Sequence, residues 1–77
     1  VDFLLEDRHG KLAGIEVKAA ATVDGKDFKG LRHLQETEPE RFQRGIVLYA
    51  GREYVAFGAG LYAVPMSVWW ATQSPAA

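Results

Sequence analysis

The sequence contains no cysteine, which excludes disulfide bonds, zinc sites built on cysteine and thiol nucleophiles. It also lacks any apolar run near the roughly 18 residues that cross a bilayer, so no membrane partner is expected. No basic segment leads into an apolar one at the start of the chain, and a signal peptide is therefore not predicted. The default expectation is a cytoplasmic protein.

An excess of charge of one sign is missing as well. Nine Lys and Arg residues face ten Asp and Glu residues, which gives a net charge of −1 and a pI of about 6.1. This balance excludes a large basic field that would draw nucleic acid to the whole surface, although it leaves room for a local basic patch. No Walker motif is present, so ATP hydrolysis is not expected of this chain.

The chain has 77 residues, of which 48% are hydrophobic and 25% charged, the composition of one small folded domain. We predict a single domain over residues 1–77 whose small-residue tail, residues 72–77, is frayed. The first residue is Val1 and the only methionine is Met66, which suggests that the sequence is a piece of a longer protein.

The beginning of the chain has the pattern of a β-hairpin. Residues 1–6 (VDFLLE) and 11–19 (KLAGIEVKA) read as strands, and a polar turn that ends at Gly10 separates them. A turn centred on position 9 pairs residues whose numbers sum to 18. This arithmetic places Asp2 opposite Glu16, so two acids that are far apart in sequence become neighbours in space.

A helix is predicted after this hairpin. Asp24 is a good N-cap, Asp27 occupies the acidic position of a capping box, and Pro39 disfavours helix at the residue before it. Gly30 lies inside the helix, and we attribute it to a close approach of the helix to a sheet. One helical face carries Phe28, Leu31, Leu34 and Gln35.

Three further strands are predicted, at 44–50, 54–57 and 61–64. Pro65 should then open a last helix, Met66–Ala71. The helix between the second and third strands indicates a crossover, so strands 11–19 and 44–50 should be parallel, with the latter central in the sheet. The prediction is an α/β fold with a mixed five-stranded sheet. One long helix cannot cover both of its faces, and we expect a preceding helix or a partner molecule to supply the missing cover.

The strand Gly14–Lys18 (GIEVK) is the candidate site. Strand alternation puts Glu16 and Lys18 on one face, with Ile15 and Val17 on the other. Together with Asp2, these charges could bind Mg²⁺ or Mn²⁺ and orient a water for hydrolysis. The pattern alone favours a weak ion pair on a solvated face of the sheet, and it leaves the metal site open as the alternative.

Two other groups of residues invite a functional interpretation. A basic helix edge could contact phosphates, although a solvated face is favoured; it comprises Lys26, Lys29, Arg32 and His33, followed by Arg41 and Arg44. Several aromatic residues could stack on bases, but core packing is favoured in so small a domain. They are Tyr49, Tyr54, Phe57, Tyr62, Trp69 and Trp70.

These motifs resemble a known family. Asp2, the run GIEVKA at 14–19 and the run DFKGL at 27–31 resemble the PD-(D/E)xK nuclease-like superfamily. More narrowly, the segments IEVKAAATV, DFKGLRHL and RGIVLYAG are similar to DUF4143, a C-terminal domain that follows an AAA-type ATPase module in many bacterial and archaeal proteins. The similarity covers residues 1–70.

The resemblance implies a restriction-endonuclease-like sheet and assigns roles to particular residues. Asp2 and Glu16 would bind Mg²⁺ or Mn²⁺, the Val17 carbonyl would complete the metal shell, and Lys18 would serve the attacking water. Gln35 would lie near Lys18, as a polar helix residue does in some members. Superfamily sites often add an acidic residue from a helix before the first strand, and this sequence does not contain that region.

The function that the resemblance implies is that of a Mg²⁺-dependent phosphodiester hydrolase or nucleic-acid-binding module. The alternative is a non-catalytic domain that keeps the nuclease fold and serves oligomerisation or partner binding. The expected partners are accordingly nucleic acid, the ATPase module of the parent chain, or a second copy of the domain.

Overall fold

The computed structural model describes residues 1–68, which form one mixed sheet of five strands with helical structure between the second and third. The strands are β1 (Phe3–Glu6), β2 (Leu12–Lys18), β3 (Phe42–Tyr49), β4 (Val55–Gly58) and β5 (Leu61–Pro65). Between β2 and β3, a 3-10 helix at Gly25–Phe28 leads into α1 (Lys29–Thr37). Within residues 1–68, no helix has the length and apolar character needed to cross a membrane.

The strand order is β1-β2-β3-β5-β4. The pairs β2–β3 and β3–β5 are parallel, and the two outer pairs, β1–β2 and β4–β5, are antiparallel. The predicted mixed sheet, the first hairpin and the parallel crossover are therefore confirmed. In the hairpin, Phe3 pairs with Ile15 and Leu4 with Gly14, so the paired numbers sum to 18, as the sequence predicts.

The helix begins at the predicted cap. The Asp24 side chain accepts a hydrogen bond from the Lys26 N–H (3.0 Å), and the Asp27 side chain accepts one from the Asp24 N–H (2.8 Å), which completes a capping box. The sequence predicts one continuous helix, whereas the first turn is 3-10 and α1 starts only at Lys29. A tight first turn of this kind is common at helix N-termini.

The core lies between α1 and one face of the sheet. Phe28 and Leu31 are fully buried, and Phe28 stacks on Phe57 with the ring centroids 4.6 Å apart. Burial of these side chains is the main source of stability in a domain of this size. Their buried partners from the sheet are Val47, Tyr49, Leu61 and Ala63.

Close approach of helix and sheet depends on glycines in the strands. A Cβ atom added at Gly14 would lie 2.7 Å from Leu31 Cδ2, and one at Gly45 would lie 3.2 Å from the same atom. At Gly30, an added Cβ would meet nothing nearer than 3.6 Å, which is ordinary contact. The prediction that Gly30 permits the close approach is therefore wrong. The close contact is made by the Leu31 side chain, which packs against Gly14 and Gly45.

The end of the described chain differs from the prediction at one residue. Pro65 belongs to β5, where it pairs with Tyr49, instead of opening a helix. The fixed φ of proline is compatible with either place. Residues 66–68 are helical as predicted, while Trp69, Trp70, the rest of the predicted helix and the tail 72–77 lie outside the described residues.

The sheet has a covered face, on which α1 packs, and an opposite, open face. Val47 and Tyr49 of β3 are buried in the core and therefore point to the covered face. Their pairing partners in β2 are Glu16 and Lys18, whose side chains point to the same face. The open face carries apolar side chains with large exposed fractions, such as Phe3 at 57% and Val17 at 44%. The charged pair of β2 therefore lies on the helix side of the sheet, where both side chains are partly exposed.

Candidate functional site

Glu16 lies on β2 with its side chain beside the first turn of α1. The side chain is 30% exposed, and its Oε1 atom is buried without a hydrogen-bond donor. The nearest opposite charge is the amino nitrogen of Val1 at 3.1 Å, an ion pair by distance that lacks hydrogen-bond geometry. Burial of a carboxylate oxygen is costly, and the positive charge of the Val1 ammonium offsets that cost here.

Asp2 lies next to Glu16 along the edge of β2. Its backbone N–H donates to the Ile15 carbonyl (3.0 Å), and its Oδ2 accepts from the Val17 N–H (2.7 Å). The Asp2 carboxylate thus accepts a hydrogen bond from a backbone N–H of β2 that has no partner in β1, just before β1 begins. The predicted proximity of Asp2 and Glu16 is confirmed, and their role as metal ligands stays a prediction.

The Val17 carbonyl belongs to the same edge. The N–H and C=O groups of one strand residue point the same way, and the Val17 N–H points toward Asp2. Carboxylates and a carbonyl are the hard oxygen donors that Mg²⁺ and Mn²⁺ accept, so this donor set fits such an ion. It holds only two acids, and nowhere in residues 1–68 do three or more His, Asp or Glu side chains group as metal ligands.

Lys18 pairs with Asp27, at 2.6 Å between Nζ and Oδ2. The two side chains are 29% and 21% exposed, so water screens the pair only in part. The hydrogen bond from Lys18 holds the pKa of Asp27 below its ordinary value, and the Asp24 N–H adds to the effect. Sequence reasoning assigned Asp27 only a capping role, because no local spacing links residues 18 and 27.

Gln35 is placed away from Lys18, contrary to the prediction. Its amide donates to the Ala59 carbonyl (2.9 Å), in the turn between β4 and β5. That turn immediately precedes Leu61, which pairs with Gly45 of β3. Lys18 pairs with Tyr49, near the other end of β3. Four residues of strand separate these two positions of β3, about 13 Å along the sheet. Gln35 therefore serves the opposite end of the covered face.

Part of the basic helix edge is engaged by the protein itself. Arg32 donates to the Phe57 carbonyl (3.0 Å), and Arg41 pairs with Glu6 at 2.9 Å and Glu38 at 3.3 Å. The favoured interpretation is a solvated face balanced by acids, and the pair of Arg41 with Glu38 agrees with it. A shallow cavity of about 500 Å³ remains on the outer side of the helix. Its lining is Gly25, Lys26, Lys29, Arg32, His33 and Glu36.

The aromatic residues divide between the two faces. Tyr49 is buried, and Phe57 packs against the core, as predicted. Tyr54 and Tyr62 are exposed, at 64% and 42%, so the core-packing prediction is wrong for both. Tyr62 alternates with the buried Leu61 and points to the open face, while Tyr54 precedes β4.

Comparison with known families identifies the chain. A family model described as "Domain of unknown function (DUF4143)" matches residues 1–69. The chain belongs to the DUF4143 family. Its match includes the whole sheet, the capping box and the candidate site, so the resemblance noted from the motifs is confirmed at this level. No curated protein and no solved structure was found to be similar to this DUF4143 domain.

Proposed function

We propose that this DUF4143 domain is a restriction-endonuclease-like module that hydrolyses phosphodiester bonds with Mg²⁺ or Mn²⁺. The observation that carries the proposal is the buried Glu16 Oε1, which already faces a positive charge, the Val1 ammonium at 3.1 Å, while the Asp2 carboxylate binds the N–H of the next strand residue, Val17. The proposed ion would be held by the Asp2 and Glu16 carboxylates and the Val17 carbonyl. The resemblance of these residues to the PD-(D/E)xK motif supports the assignment.

A bound divalent ion would stabilise negative charge on the phosphate and promote formation of hydroxide. The contribution of the chain itself is to align groups around the reacting atoms. Lys18 shares the covered face with Glu16, two residues away on a rigid strand. An ammonium has three donors, and one of them points at Asp27, so two remain for the attacking water or a phosphate oxygen.

Manganese titration followed by NMR tests the metal site directly. Paramagnetic broadening should centre on residues 1–2 and 15–18 in the wild type and should be strongly reduced in Glu16→Gln. Glu36→Gln is a matched control, because Glu36 is an exposed acid on α1. Equal broadening in wild type and Glu16→Gln at millimolar Mn²⁺ would exclude Glu16 as a ligand.

A cleavage assay tests the reaction. The full-length protein should cut DNA or RNA oligonucleotides only when Mg²⁺ or Mn²⁺ is present, and Glu16→Gln should lose this activity while Glu36→Gln keeps it. Retention of cleavage in Glu16→Gln would remove Glu16 from the mechanism. Use of single-stranded and double-stranded forms of both nucleic acids defines the substrate class.

A second candidate is a non-catalytic domain that binds a partner, either another copy or the ATPase module of the parent chain. The exposed apolar side chains of the open face favour it, including Phe3, Val17 and Tyr62. Sedimentation should then show association that Val17→Ser weakens and Glu36→Gln does not. A strict monomer at high concentration, with no binding to a separately produced ATPase module, would count against this function.

A further inference from the structure

We infer that Asp27 is a positioning residue that holds the Lys18 ammonium in the proposed hydrolytic site and keeps it off the Glu16 carboxylate. The inference rests on the proposed function, since it names the residue that prepares Lys18 for that chemistry. Sequence reasoning gave Asp27 only the role of a helix cap, and the family resemblance assigned it no role at all.

The Lys18 ammonium needs a partner to hold it in one place. A lysine at the end of a strand has a flexible four-carbon stem and samples many rotamers unless a partner fixes its ammonium. Lys18 is the last residue of β2, and its Nζ lies 2.6 Å from Asp27 Oδ2. This contact fixes the ammonium at one place on the covered face.

The Asp27 carboxylate is itself held in place by neighbouring residues. The same oxygen that contacts Lys18 accepts the Asp24 N–H at 2.8 Å, and Asp24 in turn accepts the Lys26 N–H at 3.0 Å. Phe28, the next residue, is fully buried and stacked on Phe57. The carboxylate is therefore anchored by a capping box and by the core, which suits it to orient another side chain.

Lys18 pairs with Asp27 and not with Glu16. Glu16 and Lys18 lie two residues apart on one face, close enough in sequence for a direct ion pair. In the described part of the chain, Lys18 forms its ion pair with Asp27, and Glu16 Oε1 lies 3.1 Å from the Val1 ammonium. Asp27 thus separates the two charges of the E-x-K motif, and the positive charge beside Glu16 Oε1 comes from the Val1 ammonium at 3.1 Å instead of from Lys18.

NMR of the Lys18 ammonium in the full-length protein tests this positioning. A protected ¹⁵Nζ signal is expected in the wild type, and it should be lost in Asp27→Ala. Asp24→Ala is the matched control, because it breaks the same capping box from the other side and keeps the partner of Lys18. If Asp27→Ala fails to fold, Asp27→Asn serves instead: it retains an acceptor for the Asp24 N–H and should still weaken the signal by loss of charge.

Kinetics supply the second readout. Asp27→Ala should lower kcat for oligonucleotide cleavage by about 10-fold to 100-fold with little change in KM, because a displaced lysine affects the reaction more than substrate binding. Asp24→Ala should stay within about twofold of the wild type, since its effect on the site is indirect. Mn²⁺ broadening at Glu16 should persist in both variants.

The possible failures are distinguishable. A Lys18 signal and kcat that are unchanged in the Asp27 variants would overturn the positioning role and leave the hydrolase proposal intact. A wild type that neither binds Mn²⁺ nor cleaves nucleic acid would overturn both proposals. In that case, loss of the Lys18 signal in Asp27→Ala would identify the pair as purely structural.

Discussion

The two faces of the sheet differ in where their polar and apolar residues lie. The covered face holds the core, yet it also carries the charged Glu16 and Lys18 at the end of β2. The open face is largely apolar, yet Phe3 and Val17 are about half exposed there. Strand alternation separates the two sets of residues but does not determine which set the helix covers, because that depends on where the glycines permit close packing.

The largest difference between the faces should appear when a phenylalanine is truncated on each. Phe28→Ala, on the covered face, should lower the free energy of unfolding by about 3–5 kcal/mol, since the ring is fully buried. Phe3→Ala, on β1, should lower it by less than about 1 kcal/mol because the ring is 57% exposed. Urea unfolding of both variants measures the difference.

The two phenylalanine variants also test whether the open face is covered in solution. If Phe3→Ala is as destabilising as Phe28→Ala, the open face is covered in solution. Repeating the unfolding at several protein concentrations then identifies the cover: a self-associating domain shows a concentration-dependent midpoint, and a monomer does not.

Two glycine substitutions sharpen the picture of the covered face. Gly14→Ala should lower the free energy of unfolding by about 1–3 kcal/mol, because its Cβ would lie 2.7 Å from a Leu31 methyl group already confined by Gly45. Gly30→Ala should raise it by about 0.5–1 kcal/mol, since the site has room and alanine favours helix. Thermal unfolding measures both. A stabilising Gly14→Ala would place the helix farther from the sheet.

Much of the fold could be predicted from the sequence because local patterns determine it. The turn near Gly10 sets the hairpin register, and Asp24 with Asp27 sets the start of the helix. The split into a 3-10 turn and α1 could not be predicted, since it depends on how Phe28 enters the core.

The geometry of the candidate site was predicted only where it depends on that hairpin. The proximity of Asp2 and Glu16 follows from pairing arithmetic. The contact between Lys18 and Asp27 joins β2 to the helical segment, and the position of Gln35 depends on the turn at Ala59. Such contacts between elements are set by tertiary packing, which periodicity does not encode.

The hydrogen bond of Gln35 distinguishes the two ends of the covered face. Gln35→Ala should lower the free energy of unfolding by about 1 kcal/mol or less, through loss of the bond to the Ala59 carbonyl. Mn²⁺ broadening and cleavage should be unchanged, because Gln35 lies at the end away from Lys18. Tenfold weaker cleavage in Gln35→Ala with unaltered stability would return this residue to the site.

The ion pair between Lys18 and Asp27 should make the free energy of unfolding depend on pH. This effect should be the smallest of the series, because solvent partly screens the pair. The Lys18 ammonium, helped by the Asp24 N–H, lowers the pKa of Asp27 in the folded state. A lowered folded pKa means that the stabilisation is complete above the unfolded value, about 4, and is lost as pH falls through the folded pKa.

The stability advantage of wild type over Asp27→Asn should therefore be constant from about pH 7 to 5 and shrink below about pH 4. Denaturant midpoints measured across this range test the sign. Lys18→Met is the matched variant, because it removes the largest cause of the lowered pKa and should flatten most of the same dependence. If Lys18→Met retains the full wild-type dependence, the ion pair does not form in solution, and Asp27 stabilises only the first turn of the helix.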